Sequence, residues 1–125
     1  MKLLLIDDSL VFRRAQKKVL VGQLGVEHVS EAANGKEALG ILEENGYDFD
    51  VVILDINMPV MSGIETLNAI RAKAPELPVV MCTSEAEKKQ VLSALNAGAN
   101  TYLLKPVRKP DLEEKVMPFL EACSN

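Results

Sequence analysis

The sequence predicts an α/β protein in which a parallel five-stranded sheet carries helices on both faces. Short apolar runs rich in β-branched residues recur along the chain, and such runs are typical of strands buried on both sides. After each run, apolar residues follow at helical spacing, so that strands and helices alternate. Because strand–helix–strand connections are right-handed crossovers, all the strands are expected to run parallel. With 125 residues, the chain is expected to form a single domain, residues 1–125.

The first strand and helix are predicted from the N-terminal segment. Residues 3–6 form an apolar run that ends on Asp7 and Asp8, and Ser9 is a suitable N-cap for a helix that Gly25 terminates. The side chains expected on the buried face of this helix are Val11, Phe12, Ala15, Val19, Leu20 and Leu24. The cations expected on its other, solvated face are Arg13, Arg14, Lys17 and Lys18.

The next three elements are a strand, a helix and a central strand. Residues 26–32 are less apolar and predict a strand near a sheet edge. An Asn-Gly turn signal then precedes a short helix at 36–45. Residues 51–54 are uniformly apolar and end on Asp55, which must lie at the open carboxyl end of the strand because an ionised carboxylate is costly inside an apolar sheet.

The second half of the chain repeats the alternation. A helix is predicted at 64–72, a strand at 77–82, a helix at 85–97 and a strand at 101–104. The residues expected on the buried face of the helix at 85–97 are Val91, Leu92 and Leu95.

The last predicted helix begins near Pro110, a residue that fits the first turn because its missing N–H has no intrahelical partner there. Pro118 falls further along the same pattern, where it removes a hydrogen bond and clashes with the carbonyl of Glu114. This costs about 3 kcal/mol in a helix interior, so a kink or an early end is expected.

Composition excludes several classes of protein. The net charge of −4, the absence of Trp and the lack of a basic stripe argue against nucleic acid as a partner. No apolar segment is long enough to cross a membrane or to form a secretory signal, so no membrane association is expected. Cys82 and Cys123 lack metal-binding or disulfide spacing, and free thiols fit a reducing compartment. The chain is therefore expected to be cytoplasmic.

Polar side chains follow four of the predicted strands. They are Asp7 and Asp8 after the first, Asp55 after the third, Thr83 after the fourth and Lys105 after the fifth. Because the carboxyl ends of parallel strands lie at one edge of the sheet, where ligands of α/β proteins bind, these side chains are expected to be neighbours.

This set of groups suits phosphoryl transfer to a carboxylate. Three carboxylates in one crevice repel one another, and Mg²⁺, which binds one or two carboxylates, water and a phosphate oxygen, relieves that repulsion. A lysine amine and a threonine hydroxyl suit phosphoryl oxygens. Transfer of this kind depends on positioning and charge neutralisation, so it needs no catalytic histidine.

These residues resemble the receiver domain of two-component response regulators, especially the stand-alone chemotaxis type. The resemblance covers nearly the whole chain, because the acids, the hydroxyl and the Lys105-Pro106 pair stand in the order and spacing of that family. Residues 31–39 and the Met58-Pro59 and Ser62-Gly63 pairs are further family-like segments. The resemblance implies a flavodoxin-like doubly wound sheet with the strand order 2-1-3-4-5.

The resemblance also implies a role for each residue of the site. Asp55 would accept a phosphoryl group, with Mg²⁺ held by Asp7 or Asp8, Asp55 and the main-chain carbonyl of Asn57. Lys105 and Thr83 would contact the phosphoryl oxygens. The remaining implied roles belong to Tyr102, which would turn inward when the Thr83 hydroxyl moves, and to Asn57 and Glu85, which would tune phosphoryl hydrolysis.

The partners follow from the same resemblance. A histidine kinase or a histidine phosphotransfer protein of a phosphorelay would donate the phosphoryl group. The face formed by the fourth helix, the fifth strand and the fifth helix would then bind a downstream target protein. Catalysis would be limited to phosphorylation and dephosphorylation of Asp55 by the chain itself, so the protein would act as a signalling switch and not as an enzyme.

Two other functions are weighed against this one. A Mg²⁺-dependent phosphatase or phosphotransferase also works through an aspartyl phosphate, but such enzymes usually have a second aspartate two residues after the nucleophile, where this chain has Asn57. A flavodoxin-like cofactor binder would need a phosphate-binding cradle after the first strand and aromatic stacking partners. The chain has no Gly/Ser/Thr-rich turn there, and aromatic residues make up only 4% of it.

Overall fold

The computed structural model describes residues 1–122, and their alternating strands and helices confirm the predicted fold class; Cys123 lies outside this range. The strands are β1 (Lys2–Ile6), β2 (His28–Ala32), β3 (Val51–Asp55), β4 (Val79–Thr83) and β5 (Thr101–Leu104). The helices are α1 (Leu10–Gly22), α2 (Gly35–Glu44), α3 (Gly63–Lys73), α4 (Val91–Asn96), α5 (Lys109–Lys115) and α6 (Met117–Ala122), and a 3₁₀ segment, Glu85–Gln90, precedes α4. Each of these helices is too short or too polar to span a bilayer.

The strands form one parallel sheet in the order β2-β1-β3-β4-β5, which confirms the expected order. In the register, Leu5 of β1 lies between Glu31 of β2 and Ile53 of β3. Asp55, the last residue of β3, lies beside Cys82 of β4. The carboxyl ends of β1, β3, β4 and β5 therefore meet at one edge.

Two apolar cores lie on opposite faces of the sheet. Successive side chains of a strand point to opposite faces, so Leu4 and Leu54 enter one core while Leu3 and Ile53 enter the other. The first core is covered by α2, α3 and α4, and the second by α1, α5 and α6. β3 and β4 are buried along their whole length, which explains why their sequences are uniformly apolar before the terminal polar residue.

The buried face of α1 is confirmed at Phe12, Val19, Leu20 and Leu24, which lie in or pack against the second core, but not at the exposed Val11 and Ala15. Leu20 is buried, whereas Val11 is 81% exposed. Gln16, which was not predicted on this face, is buried as well, and its amide donates to the Val107 carbonyl at 3.4 Å. Arg13 was predicted on the solvated face, but its side chain is only 12% exposed.

The helix predicted at 85–97 was also wrong in part. Its first six residues form the 3₁₀ segment, in which no residue is buried. Val91 is buried as predicted, but Leu92 and Leu95 are 67% and 37% exposed, and Ala94 is buried instead. The polar 3₁₀ segment offers no large apolar side chain to hold it against the sheet, so the short α4 contacts the core only through this i, i+3 pair.

The interruption expected at Pro118 is confirmed. Helix α5 ends at Lys115, and α6 begins at Met117 with Pro118 in its first turn. The missing N–H of proline costs nothing at that position. Two strands start later than predicted: β2 and β4 each begin two residues further along the chain, at His28 and Val79. For β4, Pro78 has no N–H to donate to the sheet.

Gly63 allows the loop after β3 to pack against the end of that strand. Its N–H donates to the Ile56 carbonyl at 2.8 Å, and Ser62 caps α3 with Glu65 in a capping box. A Cβ on Gly63 would lie 2.2 Å from the Asp55 carbonyl oxygen and 2.7 Å from Ile56 Cα. Since both are main-chain atoms, neither can move without shifting Asp55 itself.

Replacing Gly63 by alanine is therefore expected to lower the free energy of unfolding by about 1–3 kcal/mol, measured by urea denaturation. The matched control is Gly40→Ala, at an exposed position within α2 where a Cβ meets nothing within 4 Å. There the change is expected to stabilise the chain by about 0.5–1 kcal/mol, because alanine is the better helix former. Equal stability of Gly63→Ala and wild type would contradict the close packing of this loop.

Candidate functional site

The carboxyl edge of the sheet brings the predicted acids together. One carboxylate oxygen each from Asp7, Asp8 and Asp55 lie within 4.8 Å of one another. Asp7 and Asp8 follow β1, Asp55 ends β3, and these two strands are neighbours, so the sheet order creates the cluster. Asp7 and Asp55 are 1% and 4% exposed, whereas Asp8 is exposed to solvent.

Lys105 faces this cluster from the end of β5. Its amine lies 3.0 Å from Asp7 Oδ2 and 3.6 Å from Asp55 Oδ2. The amine also lies 4.4 Å from the centre of the Phe12 ring, a cation–π contact that shields it from water on one side. Burial disfavours the protonated amine, but the contact with Asp7 and the charge of Asp55 outweigh it and raise the pKa of Lys105 above its ordinary value.

Asp55 is the most perturbed carboxylate of the site. Burial, reinforced by the charge of Asp7, raises its pKa from 3.8 to about 7, although the amine of Lys105 and a backbone hydrogen bond from Asn57 act in the opposite direction. Its protonated and ionised forms are thus nearly balanced at neutral pH in the metal-free chain.

The donor set fits Mg²⁺. Asp7 Oδ2 is buried and, within the described chain, accepts no hydrogen bond; its contact with Lys105 is one of opposite charges without hydrogen-bonding alignment. A buried carboxylate oxygen left in this way beside two further carboxylates is suited to a hard divalent cation. The cluster of Asp7, Asp8 and Asp55 is therefore compatible with Mg²⁺ binding.

The other predicted residues lie around this cluster. Thr83 is fully buried at the end of β4, and its hydroxyl donates to the Ser84 carbonyl at 3.2 Å. Tyr102 is half-buried on β5, one strand further from the acids. Glu85 is exposed at the start of the 3₁₀ segment.

Sequence reasoning missed Glu87 and Lys115. Glu87 accepts hydrogen bonds from the Asn57 amide and the Ser84 hydroxyl, each at 3.3 Å, and so links the loops that follow β3 and β4. A signal was present, because Ser84 and Glu87 have the spacing of a capping box. The Lys115 amine lies 4.4 Å from the centre of the Tyr102 ring and donates to the Tyr102 carbonyl at 2.9 Å. No sequence pattern indicated that contact between α5 and β5.

Comparison with known proteins gives one consistent family. A family model described as the response regulator receiver domain matches residues 3–117. The chemotaxis protein CheY homolog of Campylobacter jejuni is 43% identical over 122 residues, which cover 96% of this chain and 92% of that protein. Chemotaxis protein CheY-3 of Vibrio cholerae is 42% identical over 123 residues, covering 97% and 92%.

A solved structure shares the whole fold. The CheY-like response regulator receiver domain protein from Methanospirillum hungatei superposes with a TM-score of 0.85 at 30% identity, covering 98% of this chain and 95% of that one. With the carboxylate cluster at the carboxyl edge of a 2-1-3-4-5 sheet, the chain belongs to the response regulator receiver domains, the phosphorylation-activated switches of two-component signalling.

Proposed function

We propose that Asp55 is the phosphoacceptor of this switch and that residues 1–125 act as one receiver unit. The observation that carries the proposal is the meeting of three carboxylates within 4.8 Å, with the Lys105 amine 3.6 Å from Asp55. Among residues 1–122, only Asp55 combines the central strand end with burial, a lysine contact and a strongly raised pKa. Perturbed carboxylates of this kind are characteristic of functional sites.

In the proposed reaction, a carboxylate oxygen of Asp55 attacks the phosphorus of the donor. An O–P bond forms as the P–N bond of a phosphohistidine, or the P–O bond of a small acyl phosphate, breaks and its electron pair leaves with the donor. Mg²⁺ held by Asp7, Asp8, Asp55 and the Asn57 main-chain carbonyl would neutralise charge on the phosphoryl oxygens. The amine of Lys105 contacts those oxygens during the transfer, and the hydroxyl of Thr83 donates a hydrogen bond to one of them.

The change in Asp55 is proposed to reach the surface through Thr83 and Tyr102. Thr83 is buried at the end of β4, where it can move toward a phosphoryl oxygen, and Tyr102 lies on the adjacent β5. The output surface is the face of α4, β5 and α5. Support comes from Leu92 and Leu95, which the fold leaves exposed on α4 and which offer apolar contact area to a downstream target.

The donor and the pathway are proposed from the relatives. Two of them are named as chemotaxis proteins, so we infer a chemotaxis-type phosphorelay with a histidine kinase or a histidine phosphotransfer protein as donor. Asn57 and Glu85 are proposed to tune hydrolysis of the aspartyl phosphate. Turnover of outside phosphoesters is not expected, because Asn57 stands where those phosphatases carry their acid and the relatives favour the switch.

Incubation with Mg²⁺ and a small acyl phosphate is expected to add one phosphoryl group to the chain, measured as intact mass. Asp55→Asn is expected to abolish the gain. Asp48→Asn is the matched control, because Asp48 is 84% exposed and pairs with Lys2 at the opposite edge of the sheet. Phosphoryl gain by Asp55→Asn would exclude Asp55 as the acceptor, and fast turnover of phosphoesters by wild type would favour the enzyme.

The raised pKa of Asp55 predicts a pH-dependent stability in the absence of Mg²⁺. Between pH 3.8 and about 7 the folded chain holds a proton on Asp55 that the unfolded chain has lost. The contribution of this proton to the free energy of unfolding is therefore fully present below the window. It is lost as the pH rises through the window, and the loss is at most about 4 kcal/mol. Asp55→Asn removes the titration.

We expect the free energy of urea unfolding of Asp55→Asn, relative to that of wild type, to rise as the pH increases through the window. Conditions near pH 5 and pH 8 bracket most of the window. Effects of the other acids cancel, because both proteins carry them. A difference between the two proteins that does not change with pH would contradict the raised pKa.

Coupling through the Thr83 hydroxyl is tested by substitution. Acyl phosphate with Mg²⁺ is expected to shift the NMR signals of Tyr102 and of the α4 amides in wild type. Thr83→Val, which keeps the shape of the side chain and removes the hydroxyl, is expected to gain the phosphoryl group but to lose most of these shifts. Thr83→Ser restores the hydroxyl and should restore them. Wild-type shifts in Thr83→Val would argue against the hydroxyl as the link.

A further inference from the structure

Arg13 reaches from α1 to the end of β1 although it was expected in solvent. Its Nη1 donates to the main-chain carbonyl of Asp7 at 2.5 Å, and its Nε donates to Glu31 Oε1 at 3.1 Å. Glu31 lies on β2, next to β1 in the sheet. A single guanidinium on α1 therefore links the main chain at the end of β1 to a side chain of β2.

The carbonyl that Arg13 holds belongs to the peptide bond between Asp7 and Asp8. The other polar groups of Asp7 are also occupied, since its N–H donates to the Ala32 carbonyl at 3.1 Å and its Oδ1 accepts from the Ser9 N–H at 2.8 Å. Only Oδ2 remains without a hydrogen bond from the described residues, and it faces the cluster. The rotation of this peptide decides where both neighbouring carboxylates lie.

Glu31 fixes Arg13 in turn. It is 14% exposed and contacts three cations, Arg13 at 3.1 Å, Arg14 at 3.3 Å and Lys17 at 3.5 Å. Burial opposes its ionisation, but the hydrogen bond from Arg13 and the charges of Arg14 and Lys17 outweigh that and lower its pKa. Glu31 is thus an ionised anchor, and the planar guanidinium with its fixed donors suits two simultaneous contacts better than a lysine would.

We infer that Arg13 is a positioning residue of the carboxylate cluster, which holds the peptide between Asp7 and Asp8 and thereby raises the affinity of the site for a divalent cation. This inference rests on the proposed function, because it assigns the cluster a bound cation. A role through charge alone predicts the opposite sign, since removing a positive charge near the acids would strengthen cation binding.

The test compares Arg13→Met with Arg14→Met. Both remove one positive charge that contacts Glu31, but the Arg14 side chain is 68% exposed and is not among those that bond the Asp7 carbonyl. Mg²⁺ affinity is measured on the phosphate-free chain by calorimetry or NMR titration. Arg13→Met is expected to bind Mg²⁺ about 10-fold more weakly or worse, the usual cost of losing a group that orients a metal ligand. Arg14→Met should match wild type or bind slightly more tightly.

A kinetic measurement distinguishes weaker Mg²⁺ binding from a general loss of activity. With acyl phosphate as donor, Arg13→Met should need more Mg²⁺ for half-maximal rate, while its rate at saturating Mg²⁺ approaches that of wild type. Arg13→Lys, which keeps the charge but lacks the two fixed donors, should give an intermediate affinity. If urea denaturation shows that Arg13→Met is not folded, Arg13→Lys serves as the test in its place.

Several outcomes overturn the inference. Equal changes in Arg13→Met and Arg14→Met, tighter binding by Arg13→Met, or wild-type affinity in Arg13→Lys would each exclude positioning by Arg13. Failure of the wild-type chain to bind Mg²⁺ would overturn the proposed function as well. Normal Mg²⁺ binding by wild type together with unchanged variants would overturn the Arg13 inference alone.

Discussion

Repulsion among buried carboxylates is the constraint on which the rest of this site depends. Asp7 and Asp55 are almost fully buried and close together, and burial together with the charge of Asp7 disfavours the ionised form of Asp55. The strands leave them no alternative position, because the chain enters this edge from two adjacent strands that are apolar up to the acids apart from Lys2 at the start of β1. The metal-free site is therefore held in an unfavourable electrostatic state that added positive charge relieves. In the proposed mechanism this relief accompanies the binding of Mg²⁺ and the transfer of the phosphoryl group.

Two cations support the acids from different sides and in different ways. Lys105 approaches from β5 and contacts the carboxylate oxygens, so it acts on the charge of the cluster. Arg13 approaches from α1 and contacts a main-chain carbonyl, so it acts on the position of the carboxylates. Each is itself restrained, Lys105 by the Phe12 ring and Arg13 by Glu31. Phe12 and Arg13 both belong to α1, so this helix is part of the site and not only a cover for the sheet.

The segment after β4 is the least firmly anchored part of the site. The 3₁₀ segment has no buried residue, and α4 contacts the core through Val91 and Ala94 alone. Segments with few buried apolar contacts open and shift most readily, which suits the proposed output surface, whose role requires two arrangements. Glu87 ties this segment to the loop after β3, and Lys115 holds Tyr102 from the other side. In the proposed mechanism, these are the contacts that phosphorylation of Asp55 would change.

The sequence by itself determined the α/β class, the position of every strand to within two residues, the interruption at Pro118 and the set of polar groups at the sheet edge. These properties depend on local patterns: runs of β-branched residues, helical spacing, proline chemistry and the cost of burying an aspartate inside a strand. The family resemblance supplied the strand order. The tertiary structure decided that Gln16 joins the buried face of α1, because its hydrogen-bond partner, the Val107 carbonyl, lies far away in the sequence. It also placed Arg13 under the Asp7–Asp8 peptide and Lys115 over Tyr102, and it left Leu92 exposed, since such contacts between separate elements have no periodic signature in the chain.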